Sequence, residues 1–344
     1  MYLQTLTPLL LLLLCLTYCD GSLIICPRNF TRELLPAGSM PSMGNADGQW
    51  SFFQNNGTPS DDGELESNFS YLLLSSFPFT KAPYGNSEAA SLKYYLTRNK
   101  MYTKKSQVYF YLEAVISGRS YDLQQNPFDA GQVLYPEKDP RLAAGGVFVD
   151  CSYEAFRFGI VLTNEKVYAV YYRSPKYRNA YGNYAAFLFA VPLADRSSKS
   201  QWHQVAITVD PYAGAAYYYL EGQLAYAIPR VGMLISRNYM LIDWGGEEVQ
   251  SKISWTQYSF GSMDALDGYS PCAESGPFSG CKLPPAAEEK ALLKVSADNE
   301  YVQLNPRTGR ETATYDRENY WVDSLWGQGT VLYVKSFREV DCIM

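Results

Sequence analysis

Trp202-His203-Gln204-Val205-Ala206-Ile207-Thr208-Val209-Asp210 is followed by Pro211-Tyr212-Ala213-Gly214, then by Ala215-Ala216-Tyr217-Tyr218-Tyr219-Leu220-Glu221-Gly222. Successive side chains of an extended chain point to opposite sides. Val205, Ile207 and Val209 therefore share one side with His203, and Trp202 falls on the other. Asp210 to Gly214 and the pair Glu221-Gly222 carry the residue types of tight turns. The stretch reads as consecutive antiparallel strands.

The pattern continues outward from there. Short runs at 108–116, 156–162, 167–173, 184–191, 202–209, 216–220, 224–228, 240–243, 253–260, 292–296 and 331–337 are rich in Tyr, Phe, Val and Ile. Gly, Pro, Asn and Asp punctuate them, as in an antiparallel sandwich or barrel. No stretch longer than about 12 residues keeps a helical period, and 286–293 is the best short-helix candidate. The predicted fold class is all-β, an antiparallel two-sheet β-sandwich. One domain is expected at 45–341, after an N-terminal segment at 20–44. A Pro/Gly-rich loop interrupts it at 268–285, and the last strand returns to the same sandwich.

Composition narrows the function classes. The chain has 344 residues, 47% hydrophobic and 19% charged, with a formal net charge of −6, which supports a buried core and excludes a disordered chain. No Lys/Arg run exists to bind phosphate, so nucleic acid is not an expected partner. Thirty tyrosines accompany a single histidine, which leaves little for His-based catalysis or a His-rich metal site.

The N-terminus reads as a secretory signal, 1–19: Leu9 to Leu14 is an unbroken leucine run, too short to span a bilayer. No later stretch approaches a membrane span, so the expected localisation is extracellular. Asn29, Asn56 and Asn68 head Asn-X-Ser/Thr triplets and are glycosylation candidates. Cys15 and Cys19 leave with the signal. Cys272 and Cys281 flank the Pro/Gly-rich loop and are expected to form a disulfide; Cys26 and Cys342, near the two ends, are the candidates for a second. Cys151 is then left as a buried thiol. No Cys/His spacing points to zinc.

Two sets of residues carry a family resemblance. Trp202-His203-x-Val205, Asp210, Gly214 and Tyr217 through Glu221-Gly222 resemble the hairpin of concanavalin A-like sandwiches, including laminin-G-like and pentraxin-like modules. There the Trp anchors one strand. Asp139-Pro140-Arg141-Leu142-Ala143-Ala144-Gly145, Phe158, the stretch 162–173 and Asp243-Trp244-Gly245-Gly246 are similar to a family of secreted proteins of unknown function, assigned to the same lectin/glucanase-like sandwich. The resemblance implies a concanavalin A-like jelly roll and carries over no site.

Strand alternation nominates a ligand surface. Tyr109, Tyr111 and Glu113 share one side of the run 108–116, opposite Val108, Phe110, Leu112, Ala114 and Ile116. Arg157 opposes Phe156 and Phe158, and Tyr171 shares a side with Arg173. With these sides adjoining, Glu113, Arg157, Tyr171 and Arg173 would form a polar-aromatic cleft, with Trp244 stacking beside two glycines. The loop 174–183 adds Tyr177, Arg178, Asn179, Tyr181 and Asn183. Sugars suit such a surface, because ring faces stack on C–H patches while Arg and carboxylates hydrogen-bond hydroxyls.

The expected function is that of a secreted, lectin-like protein binding polysaccharide or surface glycan without catalysis. One alternative is a glycoside hydrolase, which needs two carboxylates across one groove. The E-x-D-x-x-E arrangement of retaining glucanases on this fold is missing, which leaves Glu113 and Asp243 as the pair. A second alternative is an extracellular protein-interaction module of the laminin-G type, with a protein partner. His203 is expected inside the sandwich, and no G-x-S-x-G elbow is found. No cofactor is required; a structural calcium on Asp61-Asp62 or on Asp264 and Asp267 is the one metal alternative.

Overall fold

The computed structural model describes residues 50–54, 63–67, 70–76, 91–98, 101–103, 109–121, 123–125, 135–151, 153–264, 293–294, 301–302 and 329–341. The segment 1–19 expected to be a signal, the asparagines of the three Asn-X-Ser/Thr triplets, the four cysteines expected to pair, the loop 268–285, and Asp61, Asp62 and Asp267 lie outside them. So does the helix candidate 286–293, except for Leu293.

The first strands are β1 Trp50–Gln54, β2 Gly63–Ser67, β3 Leu72–Ser76, β4 Ser91–Arg98, β5 Tyr102–Thr103 and β6 Phe110–Tyr121. Next come β7 Ala144–Cys151, β8 Phe156–Leu162, β9 Lys166–Arg173 and the single-turn helix α1 Arg178–Tyr181. The chain continues through β10 Phe187–Asp195, β11 His203–Asp210, β12 Ala215–Leu220, β13 Gln223–Ile228, β14 Met240–Asp243 and β15 Trp255–Asp264. The last are β16 Leu293–Lys294, β17 Tyr301–Val302 and β18 Gly329–Asp341.

Two antiparallel sheets face each other, so the predicted fold class is the one observed. One has nine strands, ordered β1-β4-β15-β7-β8-β9-β10-β14 with β5 beside β15. The other has seven, ordered β13-β12-β11-β6-β18-β3-β2. β18 pairs along β6 from Gly329↔Tyr121 to Asp341↔Phe110, which returns the end of the chain to the centre of the sandwich.

The inner faces meet in one apolar core. Phe110, Leu112, Ala114 and Ile116 of β6 and Val205, Ile207 and Val209 of β11 pack against Phe156, Phe158, Ile160, Val167, Ala169 and Tyr171 of the opposite sheet. Each large apolar side chain buried in this way contributes about 1.5–3 kcal/mol. Tyr218 of β12 donates its hydroxyl to the Val170 carbonyl at 2.7 Å, tying the sheets together. Cys151 is buried in the same core as a free thiol.

The hairpin residues act as their types predict. Asp210 accepts from the Tyr212 and Ala213 amides at 2.8 Å. Glu221 and Gly222 both take positive φ, 52° and 77°, as a two-residue turn matched to strand twist requires. Trp202 departs from the strand-anchor role. It precedes β11 on the outward side and stays 40% exposed, while His203 points inward.

Strands β1 to β5, β7 and β17 have no counterpart among the predicted runs. β7 starts with Ala144-Gly145-Gly146, which looks like loop punctuation, yet the second glycine is there for close approach. A Cβ at Gly146 would lie 2.3 Å from the Ile160 carbonyl of β8.

Candidate functional site

The five nominated binding residues do not meet in one cleft. Arg157, Tyr171 and Arg173 belong to β8 and β9 of the nine-stranded sheet, and Trp244 follows its edge strand β14. Glu113 belongs to β6 of the seven-stranded sheet and faces away from the core.

On β9 the wet side proves to be the dry one. Tyr171 is 1% exposed, stacked on Phe158 at 5.8 Å and Phe156 at 6.2 Å. Its hydroxyl accepts from the Gly232 amide at 2.6 Å and donates to the Met233 carbonyl. Burial pushes its pKa well up, so the phenol stays a neutral donor. Arg173 ends the same inward row, in register with Phe156 and Phe187. Its guanidinium lies between the rings of Tyr184 at 4.0 Å and Phe156 at 4.5 Å, and donates to the Val249 carbonyl and the Ser251 hydroxyl. Burial pulls its pKa down to about 10.

Arg157 and Trp244 do join one cluster, on the outer face of the nine-stranded sheet. Arg157 Nε donates to Asp150 Oδ1 at 2.5 Å, and Ser259 donates to Asp150 Oδ2. The guanidinium lies over Phe148 and Tyr172, and Tyr172 meets Trp244 edge-on at 6.0 Å. Sequence reading missed Asp150, whose only signal was its place opposite Arg157 in the β7–β8 register. Phe148, Tyr172 and Trp244 are all buried, so this cluster presents little ring face to a ligand.

The loop 174–183 is pinned by Arg178, which donates to the carbonyls of Tyr184, Trp244 and Gly245. Gly246 beside it has φ 98°, and a Cβ there would lie 2.2 Å from the Tyr184 carbonyl. The glycines next to Trp244 thus serve chain packing. Asn179, Tyr181 and Asn183 are exposed.

The hydrolase pair is separated. Asp243 accepts from the Gly245 amide at 2.8 Å and from Arg237 at 3.2 Å on the edge strand of the nine-stranded sheet. The apolar core lies between that sheet and Glu113. Among the described residues no group of three or more His, Cys, Asp or Glu could hold a metal ion. No described helix is long and apolar enough to cross a membrane.

Glu113 instead sits in an open groove of about 190 Å³ on the outer face of the seven-stranded sheet, lined by Val115, Gln204, Ser336 and Arg338 among others. The registers Glu113↔Arg338 and Val115↔Gln204 bring these side chains to one face. Glu113 accepts from Gln204 Nε2 at 2.9 Å and from the Tyr111 hydroxyl at 2.6 Å, with Arg338 Nη1 at 3.7 Å. Burial, then the hydrogen bond to Glu113, raises the pKa of Tyr111, so that phenol remains the donor. Ala206 and Thr208 are small outward residues of β11, and beyond them Tyr219 and Tyr217 of β12 stand on the same side. Carboxylate, amide, guanidinium and phenol thus share one surface, which offers donors and acceptors beside aromatic rings.

His203 points into the core end of β11, with Nδ1 3.0 Å from Glu221. Burial lowers its pKa.

Among solved structures the chain is similar to the alginate lyase AlyA5 from Zobellia galactanivorans, with 9% identity, TM-score 0.41, and 89% of this chain and 97% of that one covered. It is also similar to the laminarinase catalytic domain from Thermotoga petrophila, with 10% identity, TM-score 0.39, and 90% and 98% covered. Overlaps this loose carry no argument about activity. The chain is 24% identical over 265 residues to "Uncharacterized protein L829" of Acanthamoeba polyphaga mimivirus, covering 60% of each protein; it spans less than two thirds of that relative's length. The model of a family of unknown function, DUF6081, matches residues 38–340, and the chain belongs to that family.

Proposed function

We propose that the chain is a secreted carbohydrate-binding protein that holds its ligand on the outer face of the seven-stranded sheet without chemical turnover. The observation that carries this reading is the Glu113 groove. A carboxylate, a primary amide and a guanidinium line one open concavity, with tyrosines of β6 and β12 beside it. Glu113 has acceptor capacity beyond its protein partners, and the Gln204 carbonyl adds another acceptor. Sugar hydroxyls take both roles, so such a set orients them without a metal. The one carboxylate lining the groove among the described residues is held by Tyr111, Gln204 and Arg338, an arrangement that suits binding better than acid–base exchange. Secretion rests on the leucine run at 9–14.

Native electrophoresis of the mature chain through gels containing individual polysaccharides tests the reading. The expected result is retardation by at least one polymer, which stays intact under the band, and release of that retardation by Glu113→Ala. Clearing of the polymer would make the chain an enzyme. No retardation in any gel would leave a protein partner as the better account.

A further inference from the structure

The outward side of β6 runs beyond the groove: Glu113, Val115, Ser117, Arg119 and Tyr121 follow at alternate positions. At about 3.4 Å per residue, Arg119 lies roughly 20 Å from Glu113 along the strand. Ser117 is opposite Tyr333 of β18, and Trp202 enters β11 on the other flank. Because Ser117 is small, the rings of Trp202 and Tyr333 reach across it to 6.4 Å. Tyr71, just before β3, meets Tyr333 edge-on at 5.2 Å. Three rings therefore cross the sheet in a row, with the 40%-exposed Trp202 at one end.

Two cations accompany them. Lys335 Nζ lies over Trp202 at 5.9 Å, and the Arg119 guanidinium lies over Tyr121 at 5.0 Å while its Nε donates to the Tyr121 hydroxyl at 3.4 Å. Both are exposed, and neither has a carboxylate partner among the described residues. On a chain whose net charge is −6, unpaired cations held on rings are out of keeping with the average surface. Stacking on an aromatic face holds a cation in place without neutralising it.

We infer that this platform is the second half of the binding face and selects an acidic polysaccharide, with carboxylate or sulfate groups on Lys335 and Arg119 and sugar C–H faces on Trp202 and Tyr333. The inference rests on the carbohydrate reading and names its ligand class. Rings suit sugar faces, and the cations held on Trp202 and on Tyr121 match a polymer that alternates apolar faces with charged groups.

The test uses the full mature chain and two polymers that share a backbone, polygalacturonate and its fully methyl-esterified form, with dextran sulfate and dextran as the sulfate arm. Affinity is read by biolayer interferometry. Binding to an acidic polymer is expected to exceed binding to its neutral counterpart and to weaken with salt. Lys335→Glu and Arg119→Glu should each weaken it about tenfold or more, in line with loss of a hydrogen bond to a charged group, and leave thermal stability unchanged. Trp202→Ala should weaken it further. Equal affinity for charged and neutral forms, or binding indifferent to all three substitutions, overturns the inference. Neutral polymers bound through Glu113 would in that case leave the carbohydrate reading standing. Absence of binding to every polymer removes both. Capture of anionic lipid vesicles in preference to the acidic polymers would assign the platform to a membrane surface and also overturn it.

Discussion

On β9, Val167, Ala169 and Tyr171 are buried on one face and Tyr168, Val170 and Tyr172 on the other. On β6, Phe110, Leu112, Ala114 and Ile116 are buried while Glu113, Val115 and Arg119 remain accessible. The central strands of the nine-stranded sheet are thus dry on both sides, and the seven-stranded sheet has one dry face and one wet. Strands buried on both faces read as near-continuous apolar runs. Alternation then no longer distinguishes inside from outside. The wet face is where charge, amides and exposed rings collect, which is why the candidate site lies there.

The contrast predicts opposite outcomes for tyrosines of the two sheets. Tyr171→Ala should cost about 3–5 kcal/mol, the range for an aromatic removed from a core, measured by denaturant unfolding. Tyr333→Ala should cost no more than about 1 kcal/mol, as expected of a surface strand position. Equal losses would erase the distinction.

Backbone packing on the nine-stranded side sharpens it further. Gly246→Ala meets both a positive φ and the Tyr184 carbonyl, and should destabilise by more than about 2 kcal/mol. A melting temperature unchanged by this substitution would show that the loop holding Trp244 is free to move.

Glu113→Ala takes the acceptor from the buried Tyr111 hydroxyl and should cost about 1–2 kcal/mol, yet abolish retention by polysaccharide. A loss of fold on the scale of Tyr171→Ala would make Glu113 a structural residue.

The smallest effect is a pH dependence. Burial lowers the pKa of His203 beside Glu221 and Arg196, so the unfolded chain binds more protons there as pH falls below about 6.5. His203 therefore costs nothing above that pH, and stability is lost as pH falls through the folded-state value. His203→Gln should flatten the stability profile between about pH 5 and 7; an unaltered slope would assign the acid sensitivity to other groups.

The same contrast explains what could be read in advance. The strands 156–162 and 240–243 match β8 and β14 end to end, because residue type and turn punctuation mark strands in either sheet. On β6 the faces of 110–116 were sorted correctly, since Glu113 interrupts the apolar pattern. On β9, Arg173 ends an inward row at the mouth of the sandwich and made that row look solvated. β7 was hidden by Gly145-Gly146, whose purpose is a close approach that only the partner strand reveals. Asp150 went unseen with it. Trp202, next to an inward histidine, looked like an anchor, and its exposure follows from Ser117 and Tyr333 on strands distant in sequence. Register between such strands is set by the whole sheet, so no local pattern could supply it.

Hydroxyl-radical footprinting of the full chain, with and without the polysaccharide that retards it, tests the central claim most directly. Tyr153 and Tyr181, 59% and 62% exposed on connections of the nine-stranded sheet, serve as internal references. The account predicts that ligand lowers oxidation of Trp202 and Tyr333 and leaves both references unchanged. Protection of Tyr153 or Tyr181 with Trp202 and Tyr333 unaffected would place the ligand on the other sheet and contradict it.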